Sequence, residues 1–576
     1  MKILLLHPED GLDGHWVRER WDQVVDLGRA PASVYDEWSL TLGTRVSSIY
    51  DLAVEIDDLR DWRGLIAFGA GHVVDHVGID WWDVVAIILQ RELQDLRLVQ
   101  RLASKIGSCD HLKVTRPSPL AEALSLELGR RLEVEQSDLA RRLARRVARY
   151  RRAAADLSFT QFRQVVYDKY DSNYKWRRRF AGGKVRGNRP VVLLPSAYSN
   201  VTKTALRYAA VLPEQEFLLM LARESAAISP LPPNVKGASL AAFATSQLNP
   251  EELRKLHEEW DRLEARLAEH PDFRLAARLG ILRGGRRWLR WGLVVRDAWN
   301  NVFNEQHVIG CLSGDDSNAY SRIPLLIARS RNVPAIACHH GALDGAMAFK
   351  SPPFSTYLVK GEMERDYLER VCGVDARRLR VAAPAASRAS QAAWSKHAPW
   401  VVFFSEAYET DFWRTEAIYR EVLPRLCALA RRSGKSMVLK LHPFESLRQR
   451  ERMVKQILGT EDRKTVKVTA APFSDEILRN TWCAVSVEST TAFECATAGI
   501  PAFLCGWLRH SYVAYAQQYA RYGVARMLEH PDDLLQIPEM LTAAVPRPDI
   551  AERLVHPISS KELSEILCQP QASPLR

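Results

Sequence analysis

One feature constrains this chain more than any other: a repeating rhythm of short apolar run, polar or glycine-containing loop, and amphipathic helical stretch. It runs from the first residues to about residue 545. That alternation is the signature of α/β architecture. KILLLHP, LIAFGAG, HLKVTR and RLEVE read as strands before about residue 135. RPVVLLP, FLLMLARES, VIGCLSGDDSN, PAIACHHGALDG, TYLVKG and LRVAAPA make a second series, and WVVFFSEAYE, SMVLKLHPFE, VKVTAAP, CAVSVESTTAFECATAGIP and AFLCGW a third.

These series set the expected domains. Residues 1–135 form an N-terminal α/β half-domain. Residues 136–187 form a basic helical linker: Leu139, Leu143, Val147 and Tyr150 fall on one helical face with arginines elsewhere. Residues 188–385 form a Rossmann-like domain with a helical insertion over 235–300. A hinge over 385–398 leads to a second such domain over 397–545 and a polar, Pro-containing tail over 546–576. No fixed-period repeat occurs. The comparable rhythm of the two later series fits two facing Rossmann-like domains.

Composition narrows the class. Hydrophobic residues make up 47% and charged residues 26%, a globular balance that rules out wholesale disorder. The net charge of +11 favours acidic partners such as nucleotides, anionic glycans or an anionic membrane face. The nine cysteines are odd in number and include no C-x-x-C pair, so buried free thiols are expected rather than a zinc cage or disulfide framework. The opening MKILLLHPED does not read as a signal peptide, and no apolar run is long enough to span a bilayer. A cytoplasmic protein is expected, with the inner membrane face as its further location. Arg283-Gly284-Gly285-Arg286-Arg287-Trp288-Leu289-Arg290-Trp291 and Lys175-Trp176-Arg177-Arg178-Arg179 mix cations with tryptophan. They suit either a membrane interface or helix packing with snorkelling arginines. No RRM, KH or helix-turn-helix signature supports nucleic-acid binding.

Parallel α/β sheets bind ligands at the carboxyl ends of their strands, so the loops after strands carry the candidates. After Val485-Ser486-Val487-Glu488 come Ser489, Thr490 and Thr491 at the start of a helix, where backbone N–H groups favour phosphate or simply accept a hydroxyl cap. Glu494 follows one turn on, placed for ribose hydroxyls. Lys440-Leu441-His442-Pro443 ends another strand; the proline holds His442 at the sheet edge, where it donates to a phosphate or carries a proton. His339-His340-Gly341 places an imidazole suited to deprotonating a hydroxyl. Asp315-Asp316 offers a carboxylate base or a helix cap. Ser196, Ser199 and Asn200 line the acceptor side or cap a helix. P-loop, H-E-x-x-H and G-x-S-x-G motifs are absent, and FGAGH lacks the G-x-G-x-x-G pattern.

Over about residues 188–545 the sequence resembles two-domain, GT-B type glycosyltransferases of bacterial surface-polysaccharide synthesis. PAIACHHGALDG with TYLVKGEMERDYL and RLRVAAPA resembles the end of the acceptor domain in CDP-glycerol glycerophosphotransferases and capsule-type enzymes. There a His-Gly motif carries the proposed base, which implies that role for His340. KLHP with the hydroxyl loop is similar to the HP and S/T motifs of bacterial sialyl-, polysialyl- and Kdo-transferases. That implies a grip on the donor phosphate by His442, Ser489 and Thr490. The same group draws its base from an acidic-acidic-Gly motif, matched here by Asp315-Asp316 followed by Ser317. ESTTAFECATAGIP resembles the donor loop of UDP-N-acetylglucosamine 2-epimerases, with Thr490-Thr491 in place of their paired glycines; this implies a ribose contact for Glu494.

The resulting expectation is transfer of a sugar from a CMP-, CDP- or UDP-linked donor to a glycan or lipid-linked glycan. His340 or Asp316 is the base, and Lys440, His442, Glu488, Ser489, Thr490, Thr491 and Glu494 surround the donor. No cofactor or metal is expected, since no D-x-D pair suited to metal–diphosphate binding occurs. A nucleotide-sugar epimerase and a non-catalytic basic scaffold or nucleic-acid-binding protein are the alternatives.

Overall fold

The computed structural model describes residues 1–7, 10, 12, 14–28, 30, 32–52, 64–135, 187–244, 248–384, 394–406, 412–443, 445–508, 514–543 and 550–568. The basic linker expected over 136–187, with the cations of 175–179, lies outside the described residues except at its last position, as does most of the expected hinge.

Eighteen strands among the described residues build three sheets, and every pairing between them is parallel. The N-terminal sheet holds β1 (Lys2–Leu6), β2 (Gln23–Asp26), β3 (Val46–Ser48), β4 (His111–Val114) and β5 (Leu132–Val134) in the order β3-β2-β1-β4-β5. The middle sheet holds β6 (Gly187–Ser196), β7 (Phe217–Leu221), β8 (Val235–Ser239), β9 (Gln306–Ser313), β10 (Ala335–Cys338), β11 (Thr356–Val359) and β12 (Leu379–Val381), ordered β12-β11-β10-β9-β6-β7-β8. The C-terminal sheet holds β13 (Trp400–Phe404), β14 (Ser436–Lys440), β15 (Val466–Thr469), β16 (Thr481–Ser486), β17 (Ala502–Cys505) and β18 (Arg526–Leu528), ordered β15-β14-β13-β16-β17-β18. Counted within each sheet, all three follow the Rossmann order 3-2-1-4-5, extended by one or two strands in the later two. The α/β class, with two Rossmann-like sheets and an added N-terminal α/β region, is as expected.

The chain divides into two compact units. Residues 1–54, 94–163 and 388–551 form the first, and 55–93, 164–387 and 552–576 the second.

In the second unit, one face of the middle sheet supplies Val192, Leu194, Leu219, Leu312, Ile336 and Leu358 to a core shared with Ala205 and Tyr208 of α1 (Ser199–Ala209). Each large side chain buried there is worth about 1.5–3 kcal/mol. Leu563 and Leu567 of the helix Ser560–Cys568 belong to the same core, and Pro557 bridges to Ala383. That segment is therefore no loose tail. LIAFGAG, expected as a strand, is a helical turn over residues 64–68 followed by a tight turn. Trp82 donates to the Ile66 carbonyl at 2.6 Å, and a Cβ on Gly69 would lie 2.5 Å from its indole. The tryptophan packing sets the conformation there, against a short apolar run whose periodicity is ambiguous.

The helical insertion contributes α2 (Arg286–Glu305), and α3 (Ala319–Ser330) follows β9. Trp291 is buried edge-on against Tyr320 and Trp288, at centroid distances of 5.3 and 5.8 Å, while Arg283, Arg287 and Arg290 are exposed. Within that segment Trp291 belongs to the packing and the arginines to the surface. Arg296 of α2 is buried among three carboxylates. It donates to Asp75 at 2.8 Å, to Asp297 at 2.6 Å and to Glu252 at 2.9 Å. Asp75 also accepts from Val77, Ile79 and the Trp81 indole, so this guanidinium ties residues 75–82 to the insertion.

In the first unit, the C-terminal sheet packs Val401, Phe403, Met437, Leu439, Cys483 and Val485 against α4 (Phe412–Arg432) and α5 (Leu447–Ile457). The eight cysteines other than Cys568 are free and buried. No helix among the described residues is long and apolar enough to cross a membrane.

Arg296→Leu should strand three carboxylates and destabilise the second unit by about 3–5 kcal/mol; urea denaturation followed by tryptophan fluorescence reads this. Asp26, at the end of β2, is fully buried, and burial pushes its pKa up to about 7 despite hydrogen bonds from Gly28 N–H and the Tyr35 hydroxyl. Its ordinary value is about 3.9, so the folded state holds the proton more tightly. Its contribution is full below pH ~4 and lost as pH rises through ~7. Asp26→Asn should flatten that decline, so the stability difference between wild type and variant changes between pH 4.5 and 8. Parallel pH profiles would contradict it.

Candidate functional site at the carboxyl edge of the C-terminal sheet

Strand order puts the expected donor residues on one edge. β14, β13 and β16 are adjacent and parallel, so the loops after them leave the same side, with the His442 and hydroxyl loops roughly 10 Å apart across β13. This is the switch point of the sheet, where β13 and β16 diverge in their connections.

Register fixes the faces. Phe404 pairs with Lys440, and Phe403 with Val485, so Lys440, Phe404 and Ser486 point to one face, opposite the core of Phe403, Leu439 and Val485. Lys440 is only 6% exposed. Its Nζ donates to the Leu441 carbonyl at 2.5 Å, and among the described residues no carboxylate lies within ion-pairing distance. Burial lowers its pKa. Ser486, 2% exposed, has no hydrogen-bond partner for its hydroxyl among the described residues.

His442 is half-buried two residues beyond Lys440. Burial first, and the Lys440 charge second, push its imidazole down to about 4. It is neutral at pH 7. Of the two roles expected for His442, a neutral ring suits hydrogen-bond donation, and the positive charge at this strand end belongs to Lys440.

The hydroxyl loop stands at the end of β16 as expected. Ser489, Thr490 and Thr491 are half-buried at the start of α6 (Thr491–Thr497), and Glu494 is exposed one turn on. Ser489 Oγ accepts from Thr491 N–H at 3.3 Å and from its hydroxyl at 2.9 Å, so the capping role expected as an alternative is present. Glu488 is buried. Its N–H and that of Val487 donate to one oxygen of Glu406, at 2.8 and 3.1 Å. Glu406 follows β13, and sequence reasoning missed it. The same strand-end question, asked of WVVFFSE, would have found it.

The middle sheet presents a second edge. His340 follows β10; the residue as a whole is exposed, yet burial among the surrounding atoms lowers its imidazole's pKa while Asp315 works the other way. His339 beside it is pushed down by burial to about 3. Both are neutral at pH 7. Lys360 steadies the turn by donating to the His339 carbonyl at 2.8 Å.

Asp316 corrects the expectation of an accessible base. It is 1% exposed and accepts from Lys350, also fully buried, and from Arg322 at 3.4 Å. Lys350 further donates to Asp344 at 3.0 Å and Ser317 at 3.0 Å. Asp316 is thus the anionic centre of a buried ion cluster, walled from any substrate. The helix cap expected of this pair falls instead to Asn318, which accepts from Ser321 N–H at 3.2 Å, while buried Asp315 holds the turn before it, accepting from Ser317 N–H at 2.9 Å and the Asn318 side-chain amide at 2.7 Å. Ser196 is likewise buried, bonded to Thr202 at 2.7 Å and the Tyr198 carbonyl at 3.1 Å, so it lines nothing. Ser199 and Asn200 begin α1, half-buried and exposed. Gly314 lets the chain pass close to α1 here: a Cβ would sit 3.0 Å from the Val201 carbonyl, and the neighbour would have to give way slightly.

The N-terminal sheet closes its own switch point. Asp10 receives Arg116 Nε at 2.9 Å, the Thr115 hydroxyl and His7 N–H at 2.7 Å. Among the described residues no group of three or more His, Cys, Asp or Glu side chains is arranged to hold a metal ion.

No protein-family model matches the sequence, and no curated protein matches it. Among solved structures, the glycotransferase of kitacinnamycin is 14% identical, with 67% of this chain and 96% of that chain covered and a TM-score of 0.39. The UDP-GlcNAc 2-epimerase from Methanocaldococcus jannaschii is 10% identical, covering 66% and 98%, with a TM-score of 0.39. Acinetobacter baumannii MurG is 10% identical, covering 66% and 99%, with a TM-score of 0.37. Likenesses this distant carry no argument about activity.

In NMR titrations the His442 ring should stay neutral down to about pH 5, and Lys440→Gln should raise its midpoint. Its folded pKa lies below the ordinary ~6.5, so the unfolded state takes the proton first. Stability from this group is full above pH ~6.5 and lost as pH falls toward ~4. A ring titrating near 6.5 would refute the burial assigned to it.

Proposed function

We propose that this chain is a nucleotide-sugar-dependent glycosyltransferase of the GT-B type, holding its donor's phosphates at the edge formed by β14, β13 and β16. The observation that carries the reading is Lys440: a buried ammonium without a carboxylate partner among the described residues, on the same face as a buried, unpartnered Ser486 hydroxyl. A buried charge costs several kcal/mol unless it is paired. An anionic ligand supplies the pair.

The roles divide by chemistry. Lys440 brings charge, neutral His442 brings one N–H donor, and Ser489, Thr490 and Thr491 bring hydroxyls. Preorganised donors of this kind stabilise charge developing on a leaving phosphate. The bond from the sugar's anomeric carbon to the phosphate oxygen breaks, and a bond to the acceptor oxygen forms. The acceptor's proton goes to a general base, a role for which the neutral imidazole of His340 is chemically suited, and the nucleotide leaves with the bonding electrons. CMP-, CDP- or UDP-linked sugars are the donors proposed, and a glycan or lipid-linked glycan hydroxyl the acceptor. The exposed Arg283, Arg287 and Arg290 suit an anionic acceptor or membrane surface.

A nucleotide-sugar epimerase is the second reading. Glu494 favours it, exposed one turn into α6 where the epimerase-like loop implies a ribose contact. Incubating a bound nucleotide sugar without acceptor separates the two, since only the epimerase then changes the sugar.

Lys440→Met is the decisive variant. Removing a buried charge that makes no direct ion pair should leave the thermal midpoint of the free protein unchanged or raise it. The stabilisation by nucleotide, about 2.7 kcal/mol at a hundredfold excess over Kd, should be lost. CMP, CDP, UDP and GDP form the test panel. A variant that keeps the full nucleotide-induced shift removes Lys440 from the site and the proposal with it.

A further inference from the structure

Four groups converge on one buried carboxylate beneath the His442 turn. Glu445 Oε2 accepts the His442 N–H at 2.7 Å. Its Oε1 accepts Arg450 Nε at 2.7 Å and the Ser405 hydroxyl at 2.9 Å, with the Tyr419 hydroxyl at 3.4 Å. Tyr419 and Ser405 also bond to each other at 2.7 Å. The side chains of Glu445 and Arg450 are 0% and 3% exposed. The turn is closed from the other direction by Glu445 N–H donating to the His442 carbonyl at 2.9 Å.

The partners come from separate elements: Ser405 from the end of β13, Tyr419 from α4 and Arg450 from α5. Every one of these contacts suits an acceptor-only group. A glutamine would turn its NH2 toward one of the donors. A group buried this deeply never meets a ligand directly; what it does is fix the backbone from which His442 projects.

We infer that Glu445 is a positioning residue: it locks the His442–Glu445 turn to the end of β13 and to both covering helices, and so sets where the imidazole stands beside Lys440. The inference rests on the reading above, in which His442 meets the donor phosphate.

The test separates positioning from bulk stability by removing the buried charge pair as a unit. Glu445→Gln/Arg450→Met keeps an acceptor oxygen for His442 N–H, whereas Glu445→Leu/Arg450→Met keeps the volume and removes the acceptor. Amide hydrogen exchange at His442, the titration of its ring, and affinity for the best-binding nucleotide of the CMP, CDP, UDP and GDP panel are measured in each. The leucine pair should exchange the His442 amide at least about tenfold faster, as expected for a locally opened segment. Its ring pKa should move up toward the free value, and its nucleotide affinity should fall about tenfold, the size of one lost ~1.4 kcal/mol contact. The glutamine pair should restore all three to near wild type.

Equal protection and equal ring titration in the two pairs overturn the inference. If neither pair folds, the wild-type protein still decides: its His442 amide should be as protected as those of β14, and exchange at open-loop rates overturns the inference. If no nucleotide binds the wild type, the functional reading fails, while exchange and titration still judge Glu445.

Discussion

Parallel strand pairing is the constraint from which the rest follows. A parallel strand needs a long crossover before its neighbour can pair, so each short apolar run here is followed by a helix. All the loops that follow strands leave from one edge of their sheet, and in each sheet the order reverses between its first and fourth strands. Three sheets of one order give three such edges. The chain spends its charges differently at each. Asp10, Arg116 and Thr115 close the first upon one another. The second buries Asp316 and Lys350 beneath an exposed His340. The third leaves Lys440 without a carboxylate in direct contact among the described residues, Glu445 acting on it only from beyond ion-pairing distance.

Much of this was legible in the sequence because hydrophobic periodicity and loop chemistry are local. β1, β4–β7 and β9–β17 all lie in runs that read as strands. β2, β3, β8 and β18 escaped: β3, Val-Ser-Ser, is only one-third apolar, and β8, Val235–Ser239, opens the stretch that was expected to be a helical insertion. LIAFGAG misled for the converse reason: its conformation is set by Trp82, which sequence proximity does not reveal. The hydroxyl loop and His442 could be placed on one edge because each ends a strand. Asp316 could not be told from an accessible base, because Lys350 lies 34 residues away and Arg322 sits inside the next helix. Glu445 was equally hidden, since its role arises only when β13, α4 and α5 meet.

Protonation states refine the division of labour. The sequence treats histidine as the switchable group near neutrality. Burial removes that option for His339 and His442, held near 3 and 4, and lowers His340 as well. A neutral imidazole is the competent form of a base, so the shift at His340 suits proton abstraction. At His442 the same shift leaves a hydrogen-bond donor without charge, and in the proposed site the charge comes from the lysine two residues earlier.

The contrast between Lys350 and Lys440 sharpens that argument. Both are buried ammonium groups near a strand-end loop of a Rossmann-ordered sheet. Lys350 is held between Asp316 and Asp344, its pKa raised by those partners against burial. A compensated ion of this kind fixes local geometry and asks for nothing from outside. Lys440 has its pKa lowered by burial against the more distant charge of Glu445, and among the described residues one backbone carbonyl takes one of its three hydrogens. Packing alone gives no reason for a charge there, since a methionine of similar length would fill the space without the desolvation cost. What distinguishes the two sites is how the ammonium is compensated: by two carboxylates in direct contact at Lys350, and by one backbone carbonyl and the more distant charge of Glu445 at Lys440, the contrast on which the proposed phosphate site rests.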